Sequence, residues 1–231
     1  DVNEQLPLIY DPNGGQGGGT VMLYKNQKHT VGENITVDRV GYEFLGWNTD
    51  KNASEPAWGN GASITVDEVD ANVLYAVWRV NQYPYTINHY KVGETAPFAT
   101  ETGTADFGAA VNDYTNKAPE GYVFDHTEGL PMTIGTGENV ASVYYRRNVF
   151  TLTIHYVFEE GGTAAPDYVD QEVVYNASYS VASPSIPGYT ADQSTVAGTM
   201  TGNVEVTVTY SKRNDLSYTV YYYWNGTTTP V

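Results

Sequence analysis

The same pattern returns three times along this chain at a period of about 66 residues, and that period limits the fold more than any single residue does. The segments Tyr85-Thr86-Ile87, Leu152-Thr153-Ile154 and Tyr218-Thr219-Val220 begin 67 and then 66 positions apart. Gly121-Tyr122 and Gly188-Tyr189 keep the 67-residue offset, as do Asn81 and Asn148, with Asn214 following 66 later. Landmarks that drift together mark tandem copies of one unit. They predict a division into residues 1–79, 80–147 and 148–213, with 214–231 as the truncated start of a further copy. A chain copied from a small unit is usually a reader or a spacer rather than an enzyme.

A unit of this size buries only about 60% of its unfolded surface, so each copy is a marginal but self-sufficient domain. With no cysteine in the sequence, no disulfide helps. That absence suits the outside of a bacterium better than a small animal extracellular module, which tends to be disulfide-rich. The net charge of −16 is spread as −6, −4, −5 and −1 over the four segments. Each segment therefore repels phosphate backbones and anionic membrane surfaces, which argues against nucleic acid as a partner. No apolar run approaches the ~20 residues of a membrane span. The chain reads as a piece of something longer, with any anchoring signal outside it.

Strand signals dominate. Val204, Val206, Val208 and Tyr210 alternate with Glu205, Thr207 and Thr209, the period-2 pattern of a half-buried strand. Ala141, Val143 and Tyr145 hold the matching places one copy earlier. At the front of each copy, Tyr85, Ile87 and His89 correspond to Leu152, Ile154 and Tyr156, and to Tyr218, Val220 and Tyr222. Short helices of one or two turns are expected only at Phe107–Tyr114, Asn176–Val181 and Val66–Ala71. The connections Arg79–Pro84, Arg146–Val149 and Lys212–Ser217 are short and not Gly/Ser-rich, which predicts an elongated, semi-rigid array.

Two families share these residues. Residues 6–79 resemble the internalin-type B-repeat (the Listeria–Bacteroides repeat). The likeness rests on Tyr10-Asp11-Pro12-Asn13-Gly14-Gly15, on Gly41-Tyr42-Glu43-Phe44-Leu45-Gly46-Trp47-Asn48-Thr49-Asp50, and on Leu74-Tyr75-Ala76-Val77-Trp78. Residues 80–147 and 148–213 resemble mucin-binding-protein (MucBP) repeats. Each has an opening strand, a Gly-Tyr turn and a closing Val/Tyr strand. In the first, Pro119-Glu120-Gly121-Tyr122 carries one residue more than Pro187-Gly188-Tyr189. The resemblance implies a mainly β or α+β fold of tandem β-grasp (ubiquitin-like) modules. It also implies an extracellular home on a bacterial surface, anchored to the cell wall in the full-length protein. Its expected role is a non-enzymatic stalk or adhesion segment whose partners are mucin glycans or host surface proteins, acting as a monomer. The alternatives are a pure spacer and an accessory module of a carbohydrate-active enzyme.

Other motifs read as structure. Gly14-Gly15-Gln16-Gly17-Gly18-Gly19 is followed by the strand-like Thr20-Val21-Met22-Leu23 rather than a Lys-Ser/Thr pair, so it is a hairpin loop and not a phosphate cradle. Trp47 and the Gly-Tyr pairs read as core and turn. His29, His89, His126 and His155 lack ligand spacing, and Asp67, Glu68 and Asp70 lack the rhythm of a calcium loop. No catalytic residues, metal ligands or cofactor are expected. The ligand-binding candidates are tyrosines that alternation puts on the outer sheet face: Tyr90, Tyr144, Tyr221 and Tyr223.

Overall fold

The period-2 segments become strands of three four-stranded sheets built to one plan in the computed structural model, which describes residues 4–230 apart from the side chain of Asp70. The first sheet holds Gln5–Asp11, Gly19–Tyr24, Tyr42–Asn48 and Val73–Val80. The second holds Gln82–Lys91, Ala99–Asp106, Tyr122–Glu128 and Val140–Arg147, and the third Val149–Phe158, Thr163–Val174, Tyr189–Ala191 and Val204–Lys212. Counting strands along the chain within each sheet, the order across the sheet is second, first, fourth, third in all three. In the first and third sheets the opening strand pairs antiparallel with the second and parallel with the closing strand. Parallel neighbours cannot be joined by a tight turn, so the chain must cross over between them.

A two-stranded ribbon lies on that crossover in each case: Lys28–Thr30 with Ser63–Thr65, Ala110–Val111 with Met132–Thr133, and Ser178–Ala182 with Thr195–Thr199. This corrects the expected helices at Phe107–Tyr114 and Asn176–Val181. In the latter, Asn176 sits at φ +65° and closes a turn, and Tyr179 and Val181 then alternate with the exposed Ser178 and Ser180. In the former, Gly108 at φ +79° breaks the backbone before Ala110 and Val111 pair with Thr133 and Met132. In place of the short helix expected at Val66–Ala71 stand two single 3-10 turns, Val66–Glu68 and Asp70–Asn72, separated by the extended Val69, the second distorted by Ala71 at φ +52°. Among the described residues there is no α-helix. The chain is thus almost wholly β, and the helical part of an α+β module is not formed.

Ribbon and sheet enclose apolar clusters. In the first, Leu8, Tyr10, Leu23, Trp47, Leu74 and Ala76 from the sheet meet Val31, Ile64, Val66 and Val69. In the third, Leu152, Ile154, Tyr156, Val208 and Tyr210 meet Val196 and Met200. Each of these two clusters draws only on its own segment. Fully burying one such side chain contributes about 1.5–3 kcal/mol. Polar atoms inside are partnered: the Tyr10 hydroxyl lies 2.8 Å from His29 Nε2 and accepts from the Gly32 N–H at 3.1 Å, while Trp47 Nε1 donates to Asn60 Oδ1 at 2.9 Å.

By packing, the chain divides into two compact units. One runs up to Lys117 and includes Asp125–Tyr144; the other takes Ala118–Phe124 and continues from Tyr145. The outermost strand of the third sheet, Thr163–Val174, slips register against its neighbour three times, between Phe150 and Leu152, Ile154 and Tyr156, and Tyr156 and Val157. Residues 213–230 contain no strand. No helix among the described residues is long and apolar enough to cross a membrane.

Candidate functional site

Alternation along two strands of the second sheet sets up the site. Ile87 and His89 on the opening strand, and Ala141, Val143 and Tyr145 on the closing strand, are buried. Their neighbours Tyr90 and Tyr144 therefore stand half-exposed on the opposite face, as the sequence predicts. The two rings stack, with centroids 5.4 Å apart and planes 21° from parallel. The third strand, Tyr122–Glu128, adds His126, whose ring lies 4.4 Å from Tyr144 at 10°. The result is a three-ring ladder running across the strands, Tyr90–Tyr144–His126.

Carboxylates frame its His126 end. The Tyr144 hydroxyl donates to Glu128 Oε2 at 3.0 Å, and Asp125 Oδ2 lies 2.7 Å from His126 Nδ1. The Glu128 carboxylate, by accepting that hydrogen bond, raises the Tyr144 phenol above its ordinary value. Stacking covers both faces of Tyr144, so the ladder offers ring edges and its two end rings beside strong hydrogen-bond acceptors.

The third sheet does not repeat this arrangement. The places that alternation gives to Tyr90 and Tyr144 fall there on Val157 and Thr209, which pair directly across the strands. Its outer face instead carries His155 between two carboxylates, with Nδ1 2.8 Å from Asp167 Oδ2 and Nε2 3.0 Å from Glu205 Oε1. A neutral imidazole has one N–H and could satisfy only one of them. Glu205, and then Asp167, accordingly raise the His155 pKa above its ordinary value.

Tyr221 and Tyr223 are exposed at 61% and 52% on a segment without strand structure, and they do not form a ladder. Trp47 is fully buried in the first core. The glycine-rich loop runs into a short pairing of Gln16–Gly17 with Val37–Asp38, followed by the strand Gly19–Tyr24. No group of three or more His, Asp or Glu side chains among the described residues could hold a metal ion. Sequence reasoning missed His126 as a member of the site. Tyr122-Val123-Phe124-Asp125-His126 lacks a clean polar–apolar alternation, so only the register of its strand reveals which face His126 occupies.

Comparison with known families bears on the third sheet and its ribbon. Residues 151–211 match the MucBP domain. That match spans the MucBP segment from Thr151 in the opening strand to Ser211 in the closing strand, and it includes His155 and the Val157–Thr209 pair. Three solved structures are similar to parts of the chain. A MucBP domain of the protein LBA1460 from Lactobacillus acidophilus shares 30% identity, over 29% of this chain and 92% of that one, with a TM-score of 0.23. The type 2 repeat of the mucus binding protein MUB from Lactobacillus reuteri shares 14% identity over 56% of this chain and 99% of that one, with a TM-score of 0.23. Streptococcal High Identity Repeats in Tandem (SHIRT) domains 3–4 from a cell surface protein share 13% identity over 56% of this chain and 98% of that one, with a TM-score of 0.28. No curated protein sequence matches the chain.

Proposed function

We propose that this chain is a non-enzymatic adhesion and stalk segment of a bacterial cell-surface protein, and that its second repeat binds neutral faces of mucin-type glycans. In this reading residues 1–79 form an internalin-type B-repeat, 80–147 and 148–213 form MucBP repeats, and 214–231 open a further copy. Each module is a β-grasp variant in which a ribbon takes the place of the helix. The MucBP match over residues 151–211 supports the repeat assignment and an extracellular home.

The observation that carries the glycan reading is the Tyr90–Tyr144–His126 ladder. The C–H face of a hexose packs on aromatic surface, here the ladder's exposed edges and end rings, and ring burial is inexpensive in side-chain entropy because a tyrosine has only two χ angles. Glu128 and Asp125 are placed to accept hydrogen bonds from sugar hydroxyls. The same carboxylates disfavour sialylated or sulfated termini, because like charges in contact are repulsive. Tyr223 holds the place of Tyr90 in the repeat count, and Tyr221 the place two residues before it, so both belong to the corresponding face of the next copy.

The test is binding of the intact chain to a glycan array and to immobilised mucin. Alanine at Tyr90 or Tyr144 is expected to weaken binding about tenfold or more, equivalent to about 1.4 kcal/mol, with the thermal transition retained. A chain that binds no glycan, or binds equally well without Tyr144, would be a spacer.

A further inference from the structure

The Gly-Tyr turns recur with a backbone relay that tyrosine packing alone does not require. At the end of the first sheet the Asn81 N–H donates to the Gly41 carbonyl at 2.9 Å, and the Asn81 carbonyl accepts from the Phe107 N–H at 2.9 Å. The Phe107 ring then lies over Gly41, where a Cβ would run into it, and stands edge-on to Tyr42 at 6.2 Å. The second unit contains the same relay. Asn148 N–H donates to the Gly121 carbonyl and the Asn148 carbonyl accepts from Tyr175 N–H, both at 2.8 Å. The Tyr175 ring covers Gly121, again where a Cβ would stand, and meets Tyr122 edge-on at 6.5 Å.

The third turn is half made. Gly188 has the same left-handed backbone, φ +82° against +80° and +75° at Gly41 and Gly121. Its carbonyl accepts from Arg213 N–H at 2.9 Å. This places Arg213, rather than the Asn214 of the sequence period, as the counterpart of Asn81 and Asn148. Apart from its chain neighbours, no residue comes within 4 Å of where a Gly188 Cβ would stand, so no ring covers it.

We propose that Gly188 and Tyr189 form a docking socket for one aromatic side chain of the following repeat of this same protein, the repeat that opens at Tyr218-Thr219-Val220. The occupant follows from the two filled sockets. Phe107 and Tyr175 lie 26 and 27 residues beyond Asn81 and Asn148, which places the third ring at about position 239 or 240. Its N–H donates to the Arg213 carbonyl and completes the relay. Glycine is needed at the socket for two separate reasons: the left-handed φ, and the absence of a Cβ beneath the ring.

Those two reasons can be separated by experiment. Gly41→Ala, Gly121→Ala and Gly188→Ala in the 231-residue protein carry the same φ strain, but only the first two collide with a ring. Thermal unfolding should show Tm values for those two at least about 4 °C below that of Gly188→Ala. Equal losses for all three overturn the proposal. Should a glycine variant fail to fold, the milder Phe107→Leu and Tyr175→Leu report the same joints, and unchanged Tm values there also overturn it. In the protein extended through its next repeat, Gly188→Ala must become as costly as the other two, and residue 239 or 240 must be aromatic. A non-aromatic residue at both positions, or an unchanged cost, sinks the socket. The socket rests on the reading of 214–231 as the start of a further copy, but none of these readouts involves glycan binding, so the socket and the glycan reading fail separately.

Discussion

Histidines in this chain show how one residue type takes opposite roles according to the face it occupies. His89 is fully buried, with Nε2 2.7 Å from Glu101 Oε1. Burial works against the charged form of Glu101, but the Thr115 N–H and the His89 ring outweigh it and hold the carboxyl below its ordinary value. A depressed acid contributes stability above the ordinary carboxylate range and loses it as pH falls through the folded value. Glu101→Gln should therefore flatten the acid limb of the stability profile in urea titrations below about pH 4.5. His155 has the opposite sign. Its folded pKa is raised, so its contribution is complete below about pH 6.5 and disappears as pH rises through the folded value. An NMR titration should place the His155 midpoint above that of a free histidine, and Glu205→Gln should bring it down. A midpoint at or below the ordinary value would contradict the double carboxylate contact. Trp47 tests the core: Trp47→Ala is expected to cost about 3–5 kcal/mol in denaturant unfolding, the scale for emptying a buried aromatic site.

Strands were more legible than the elements that connect them. Period-2 alternation located the opening and closing strands and put Tyr90 and Tyr144 outward, because a side chain's face follows directly from its parity along a strand. The ribbons were not legible. Segments such as Asn176–Val181 are too short for periodicity to separate a helical turn from a strand, and their pairing partners lie some 20 residues away, as Val181 and Val196 show at closer range. The ladder was half legible for the same reason. Its two tyrosines follow from parity, whereas His126 depends on strand order and register, which a single sequence does not encode locally. If the ladder is sufficient for recognition, it should be transferable. Val157→Tyr together with Thr209→Tyr places two rings on directly paired positions of the MucBP segment, and mucin binding by that double variant should rise severalfold over the parent chain. An unchanged signal would mean that His126 and its carboxylates are indispensable.

At the scale of the whole chain, the charge of −16 governs encounter with anything anionic. Mucins that carry sialic acid or sulfate should bind poorly at low ionic strength and better as salt rises from about 20 to 300 mM, since the Debye length then falls from roughly 20 Å to about 6 Å. Binding to neutral glycans should change little over that range. The opposite trend would require a basic contact surface. The slipping outer strand Thr163–Val174 bears on a different problem. An uninterrupted outermost strand invites backbone pairing with other molecules, and a protein built from repeats multiplies that risk with every copy. Three bulges, Pro166 and the acids Asp167, Asp170 and Glu172 leave no straight run of amide groups to pair with. Along this edge, many such chains crowded side by side should therefore not knit strand to strand.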